Sequence, residues 1–88
     1  MQENQQQRAV HIAEGSSLAG RSLVDAGLRQ RFGVVVVGIR RADGKMDFNP
    51  EPETAMHAGD DLVVLGRGDS LRQLEAAAEE GTRPANAR

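Results

Sequence analysis

A run of β-branched residues from Val34 to Ile39 constrains this sequence more than any other feature. It reads VVVVGI, follows Gly33 and is closed by Arg40 and Arg41. Branching at Cβ favours extended backbone, and a run without polar positions predicts a strand covered on both faces. The chain has only 88 residues and no cysteine, and a domain of this size buries only about 60–65% of its unfolded surface. The sequence therefore predicts one small domain that gains stability by forming a homodimer.

The residues before this run predict a strand and then a single helix. Ala9 to Glu14 alternates polar and apolar positions, which is typical of a strand with one covered face. Ser22 is a suitable N-cap with Asp25 three positions later, and Gly33 suits the residue just past the helix end. One face of this helix is predicted from three residues at four-residue intervals, namely Val24, Leu28 and Phe32.

The residues after the run predict a hairpin, another strand and a second helix. Asp43 and Gly44 form a favourable turn pair, and residues 46–48 alternate as the return strand. Proline cannot donate a hydrogen bond to a sheet, so Pro50 ends the pairing. Two elements follow along the chain, an apolar strand over residues 62–65 and a helix over residues 70–79.

The predicted order is β-α-β-β-β-α, a small α+β domain with a mostly antiparallel sheet. We place this domain at residues 9–80. Residues 1–8 are polar without an apolar period, which indicates a flexible N-terminal linker. Residues 81–88 contain a glycine and a proline that oppose a helix, which indicates a flexible C-terminal tail.

Charge and composition argue against nucleic-acid binding and membrane insertion. The net charge is −2, from 11 basic and 13 acidic residues that are interspersed, and only two residues are aromatic. A nucleic-acid surface needs a basic stripe or stacking aromatics. No apolar run approaches the ~20 residues of a membrane helix, and the polar N-terminus is unlike a signal peptide. We therefore expect a cytoplasmic domain that reaches a membrane only through its partner.

No catalytic residue, cofactor or metal site is predicted. His11 and His57 are the only histidines and no cysteine accompanies them, which argues against zinc. His11 should face solvent or a partner, and His57 should bond to the turn that follows it. The oxygen-bearing side chains between Asp43 and Glu51 lack the spacing of a calcium loop, and the serines lie where caps and turns need them. We therefore do not expect an enzyme.

Four segments resemble, in order, the TrkA-C domain (the RCK C-terminal domain) of bacterial potassium-transport regulators and channels. They are EGSSLAGRSL (14–23), LRQRFGVVVVGIRR (28–41), FNPEPETAMHAGDDLVVLG (48–66) and DSLRQLE (69–75). The resemblance implies a β-α-β-β-β-α fold that pairs as a symmetric dimer. It also implies a regulatory domain that follows a Rossmann-like domain, or that belongs to a channel or transporter, and senses a small ligand. Several members of the family bind cyclic di-AMP between two protomers.

The resemblance also implies which residues would contact such a ligand. Leu23 and Val24 correspond to an apolar floor, Arg29 to an arginine that reaches a phosphate, and Pro50 to the rim. The family's cyclic di-AMP binders place an asparagine where this sequence has Val35, which can neither donate nor accept a hydrogen bond. Ordinary roles are also open, because Arg29 suits the last turn of a helix, Leu23 and Val24 suit a core or a dimer contact, and Pro50 suits a strand end.

Three functions therefore stay open at the level of sequence. The first is a ligand-sensing regulatory domain of a potassium or cation channel or transporter. The second is a structural dimerisation module of the same fold without a ligand. The third is an unrelated small domain, including a fragment of an enzyme.

Overall fold

Four antiparallel strands and three helices make up the computed structural model, which describes residues 5–79. The strands are β1 (Gln5–His11), β2 (Val35–Arg40), β3 (Met46–Phe48) and β4 (Asp61–Arg67). The helices are α1 (Leu23–Ala26), α2 (Leu28–Phe32) and α3 (Gly68–Glu79). The strand order in the sheet is β1-β4-β2-β3, so β4 lies between β1 and β2. The α+β class and the antiparallel sheet predicted from the sequence are confirmed.

Strand β1 begins at Gln5, four residues before the predicted start at Ala9. Its polar half pairs in register with β4, where Gln5 lies opposite Arg67. Backbone pairing at the edge of a sheet needs no apolar side chains, so the polar sequence concealed this half of the strand. Residues 5–8 thus belong to the sheet and not to the predicted linker. Residues 1–4 and the predicted tail lie outside the described residues.

The predicted first helix is in fact two short helices that meet at Gly27. This residue has φ +66°, in the left-handed region, and its N–H donates to the carbonyl oxygens of Leu23 and Val24. The change of direction separates residues that a continuous helix would place on one face. Leu28 is buried, whereas Val24 keeps 56% of its surface exposed. The predicted common face of Val24, Leu28 and Phe32 is therefore wrong.

Replacing Gly27 by alanine should lower the free energy of unfolding by about 1–2 kcal/mol, because an L-residue is strained at this φ. Chemical denaturation of the full chain measures the change. Gly27→Asn is the matched variant and should lose less, since asparagine tolerates the left-handed region better. An alanine variant as stable as the parent would contradict the break, because alanine favours one continuous helix.

The core lies between the sheet and the helices. Its buried side chains come from every layer, including Val10 of β1, Ile39 of β2, Leu62 of β4 and Leu71 of α3. Strand β2 is covered on only one face within the single chain, because Val36 packs against the core while Val35 is 45% exposed. The prediction of two covered faces is therefore wrong within the single chain.

No helix within residues 5–79 is long and apolar enough to cross a bilayer.

Two local predictions from the sequence are confirmed. The Ser22 hydroxyl accepts a hydrogen bond from the Asp25 N–H at 3.0 Å and so caps α1. The hairpin between β2 and β3 turns through Gly44, whose φ is +93° and whose N–H donates to the Arg41 carbonyl at 2.8 Å. The Asp43 carboxylate accepts from the Lys45 N–H at 3.0 Å, which explains its place in the turn.

Candidate ligand-binding cleft

A cleft of about 460 Å³ opens beside the two short helices α1 and α2. This volume is within the usual range for small-molecule sites. Its walls come from α1, α2, the start of β2 and the segment that follows β3. Its lining is Leu23, Val24, Gly27, Leu28, Arg29, Gln30, Val34, Val35, Val36, Asn49, Pro50 and Pro52. Because the lining comes from four segments, the shape of the cleft depends on how these segments are held together.

All five residues that the family resemblance singled out line this one cleft. They are Leu23, Val24, Arg29, Val35 and Pro50. Leu23 and Pro50 are half-buried, and the other three are exposed. The fold therefore brings together side chains that are up to 27 positions apart in the sequence, from Leu23 to Pro50.

The chain around α1 is bonded directly to the segment after β3. The Leu23 N–H donates to the Thr54 carbonyl at 3.0 Å, and the Val24 N–H donates to the Pro52 carbonyl at 2.9 Å. Two more backbone hydrogen bonds join Met56 to the segment before α1: the Gly20 N–H donates to the Met56 carbonyl, and the Met56 N–H donates to the Arg21 carbonyl. These bonds use N–H groups that would otherwise be unpaired at the start of α1. They fix the distance across the cleft without using any side chain that lines it.

An ion pair between Arg41 and the buried Asp60 also holds the segment that follows β3. Asp60 is 2% exposed, and its Oδ2 accepts from Arg41 Nη1 at 2.6 Å and from the His57 N–H at 2.9 Å. Arg41 Nη1 also donates to the Ala55 carbonyl at 3.0 Å. One guanidinium thus ties the hairpin to the loop that leads from the cleft into β4. His57 also bonds to the turn that follows it, but the donor is its backbone N–H and not the imidazole, so the predicted role of the histidine side chain stays a prediction.

Arg41→Ala should lower the free energy of unfolding by about 3 kcal/mol, because it leaves the Asp60 carboxylate buried without its counter-ion. Urea denaturation measures the loss. Arg40→Ala removes the same charge from the neighbouring, exposed position and should change stability by less than about 0.5 kcal/mol. A loss at Arg41 no larger than at Arg40 would contradict the role assigned to the ion pair.

The chemistry of the cleft is that of an apolar site with one charge. Among residues 5–79, Arg29 is the only charged side chain in the lining, and Gln30 and Asn49 add two amides. The remaining side chains are aliphatic or proline. Such a lining suits a ligand that joins an anionic group to flat, weakly polar parts. The sequence interpretation did not include Gln30, Asn49 or Pro52, although Asn49 and Pro52 flank the predicted rim residue Pro50.

The other candidate residues have structural partners. His11 Nδ1 lies 2.8 Å from Asp61 Oδ1 on an exposed part of the sheet. Asp47 lies 3.7 Å from Arg41 Nη2. Within residues 5–79 no three histidine, aspartate or glutamate side chains are grouped closely enough to hold a metal ion.

Fold and cleft together define a small α+β domain with a cleft of small-molecule size. The chain belongs to the TrkA-C domain family, whose model matches residues 8–78. Probable potassium channel protein 2 of Methanocaldococcus jannaschii is 38% identical over 64 residues, which are 73% of this chain and 18% of that protein. The Ktr system potassium uptake protein C of Bacillus subtilis is 30% identical over 66 residues, 75% of this chain and 29% of that protein. The chain thus spans less than a third of either relative.

Solved structures with the same fold include two domains in complex with a cyclic dinucleotide. One is the RCK_C domain dimer of S. agalactiae BusR with c-di-AMP, with a TM-score of 0.76 and 20% identity over 85% of this chain and 91% of that one. The other is the RCK C domain of the potassium transport protein KtrA with c-di-AMP, with a TM-score of 0.73 and 24% identity over 81% of this chain and 80% of that one. Both likenesses establish the fold of this chain.

A third similar structure is BusR in complex with its promoter DNA, with a TM-score of 0.75 and 21% identity over 88% of this chain and 38% of that one. The expectation that the present domain binds no nucleic acid stays a prediction, and its interspersed charges still favour it.

Proposed function

We propose that this chain is the ligand-sensing domain of a potassium channel or transporter and that its cleft binds cyclic di-AMP. The observation that carries the proposal is one arginine, Arg29, in an otherwise uncharged and largely apolar lining. Arginine suits a phosphate because its planar fork can donate two hydrogen bonds at once. Two proteins of the same fold bind c-di-AMP, and relatives of this chain are potassium channel and uptake proteins.

The two halves of a two-fold ligand can each meet the same residues in a two-fold site, which a homodimer supplies. Each contact in such a dimer occurs twice, so the Arg29 side chains of the two protomers would meet the two phosphates. The apolar residues Leu23, Val24 and Val35 would then contact the bases and riboses from both sides. Pro50 would close the rim.

Exposed apolar side chains beside the cleft support a dimer contact in the same place. Val24 is 56% exposed and Val35 is 45% exposed within the cleft, and Phe48, one position before the lining residue Asn49 in the sequence, is 73% exposed. Large apolar side chains clustered at a surface favour association. Pairing at this surface would also cover the second face of β2, as the valine-rich run predicts.

Sensing would follow from a shift between two arrangements of the protomers. A ligand that contacts both protomers favours the arrangement to which it binds more tightly, and only that difference in affinity does the switching. The change would pass to a membrane partner, either directly or through a preceding Rossmann-like domain. The domain would lie in the cytoplasm at the inner face of the membrane, and its role would be regulatory, without catalysis.

Calorimetry of the full chain with cyclic di-AMP tests this function. We expect saturable heat with one ligand per two chains. At a free ligand concentration 100 times Kd, the bound state should gain about 2.7 kcal/mol of stability, which a rise in Tm would report. If high micromolar cyclic di-AMP produces no heat and no shift of Tm, cyclic di-AMP is excluded as the ligand.

Val35 favours a second candidate, a dimerisation module of the same fold without a ligand. It presents an aliphatic side chain where the family's cyclic di-AMP binders place an asparagine. If the parent chain does not bind, a Val35→Asn variant separates the two explanations. Binding by that variant alone would mean that the cleft is formed but lacks the polar group, whereas no binding by either chain would favour the structural role.

A further inference from the structure

In the part of the chain that the structure describes, Asn49 is the only polar side chain of the cleft that does not lie on α2. Arg29 and Gln30 both belong to α2, whereas Asn49 follows the last residue of β3. The neighbouring wall at Val35 and Val36 can make no hydrogen bond with its side chains. A donor or acceptor group of a ligand that faces the sheet can therefore bond to the side chain of Asn49, but not to those of Val35 and Val36.

The backbone holds Asn49 firmly beside β2. Its N–H donates to the Val37 carbonyl at 3.0 Å, which continues the pairing of Phe48 with Gly38 by one residue. Its φ of +52° lies in the left-handed region, which asparagine tolerates and most other L-residues avoid. Within residues 5–79 its side-chain amide forms no hydrogen bond. A fixed backbone thus presents an unused amide to the cleft.

Glycine would satisfy this backbone conformation at least as well as asparagine. The backbone role and the side-chain role of Asn49 can therefore be separated by experiment. The amide is both a donor and an acceptor. Along its N7 edge adenine offers a matching pair, an N7 acceptor beside an N6 amino donor, whereas the same edge of guanine offers two acceptors, N7 and O6, which match arginine.

We propose that Asn49 reads the base of the bound nucleotide and selects adenine over guanine. This inference rests on the proposed binding of a cyclic dinucleotide and adds the residue that determines its base. Arg29 would contact the phosphate, which is common to all cyclic dinucleotides. Asn49 would discriminate between them, and the aliphatic Val35 would pack against the base without directing it.

The test is titration of the full chain and its Asn49→Gly variant with cyclic di-AMP and with cyclic di-GMP. We expect the parent to prefer cyclic di-AMP by at least about 30-fold, since each ligand would meet two such amides. In Asn49→Gly the preference should fall to less than about threefold while the Tm without ligand is unchanged or raised. Gln73→Ala, which removes an exposed amide from α3, should retain the parent's preference.

Each outcome has a distinct meaning. An Asn49→Gly variant that keeps both the affinity and the preference would overturn the role of Asn49 and leave the proposed function standing. A parent that binds both ligands equally would also overturn base selection. A parent that binds neither ligand would overturn the proposed function and this inference together.

Discussion

Arg29→Ala should weaken the binding of cyclic di-AMP by about 100-fold or more in calorimetry of the full chain. A hydrogen bond between a charged donor and a phosphate contributes about 1.5–3 kcal/mol. One substitution removes this contact from both protomers of a symmetric dimer, so the loss per ligand is about 3–6 kcal/mol. Arg29 is exposed and makes no ion pair among the described residues, so the fold should be unaffected.

Arg72→Ala is the matched control for this experiment. Arg72 is an exposed residue of α3 that does not line the cleft, and its removal changes the net charge by the same amount. A loss of affinity shared equally by the two variants would mean general electrostatic attraction and no phosphate contact by Arg29. Arg29→Lys should recover only part of the affinity, because an ammonium group cannot form the two parallel bonds of a guanidinium.

Phe48→Asp should raise the dissociation constant of the dimer by at least about 100-fold, as measured by sedimentation equilibrium. Burying a phenylalanine contributes about 1.5–3 kcal/mol, and a symmetric interface loses the contribution twice. Phe48 is 73% exposed in the single chain, so its replacement should leave the unfolding of the monomer nearly unchanged. Loss of dimer should also weaken ligand binding if the ligand contacts both protomers.

Gln73→Asp is the control for the added charge, since Gln73 is exposed on α3. It should remain dimeric to the same extent as the parent. If Phe48→Asp dimerises as well as the parent, the interface lies elsewhere on the surface. A parent chain that is monomeric at high micromolar concentration would contradict the dimer itself.

The sequence predicts the parts of this fold that depend on local chemistry. The valine-rich run gives β2, Asp43 and Gly44 give the hairpin, and Ser22 with Asp25 gives the start of α1. The break at Gly27 does not follow from the sequence, because an isolated glycine within a helical pattern is often tolerated. The bonds between the start of α1 and the segment at residues 52–56 join distant parts of the chain, which no local pattern reports.

Prediction of the site depended on the family resemblance. Leu23, Arg29 and Pro50 have no property in the sequence that distinguishes them from core, capping or turn residues. Their convergence in one cleft is visible only when α1, α2 and the segment after β3 are placed together. The sequence does not mark Asn49 as a site residue, because an asparagine before a proline is typical of a turn and its place in the cleft depends on tertiary structure.

The position of β4 between β1 and β2 has a consequence for the order in which the domain can form. The hairpin of β2 and β3 is local, but β1 has no partner until β4 has been synthesised, since Gln5 pairs with Arg67. Such distant pairing slows folding, because a long loop must close before any contact stabilises it. On the ribosome, a nascent chain that ends before Asp61 would hold three strands that cannot join into one sheet, so this domain should complete its folding only near the end of its own synthesis.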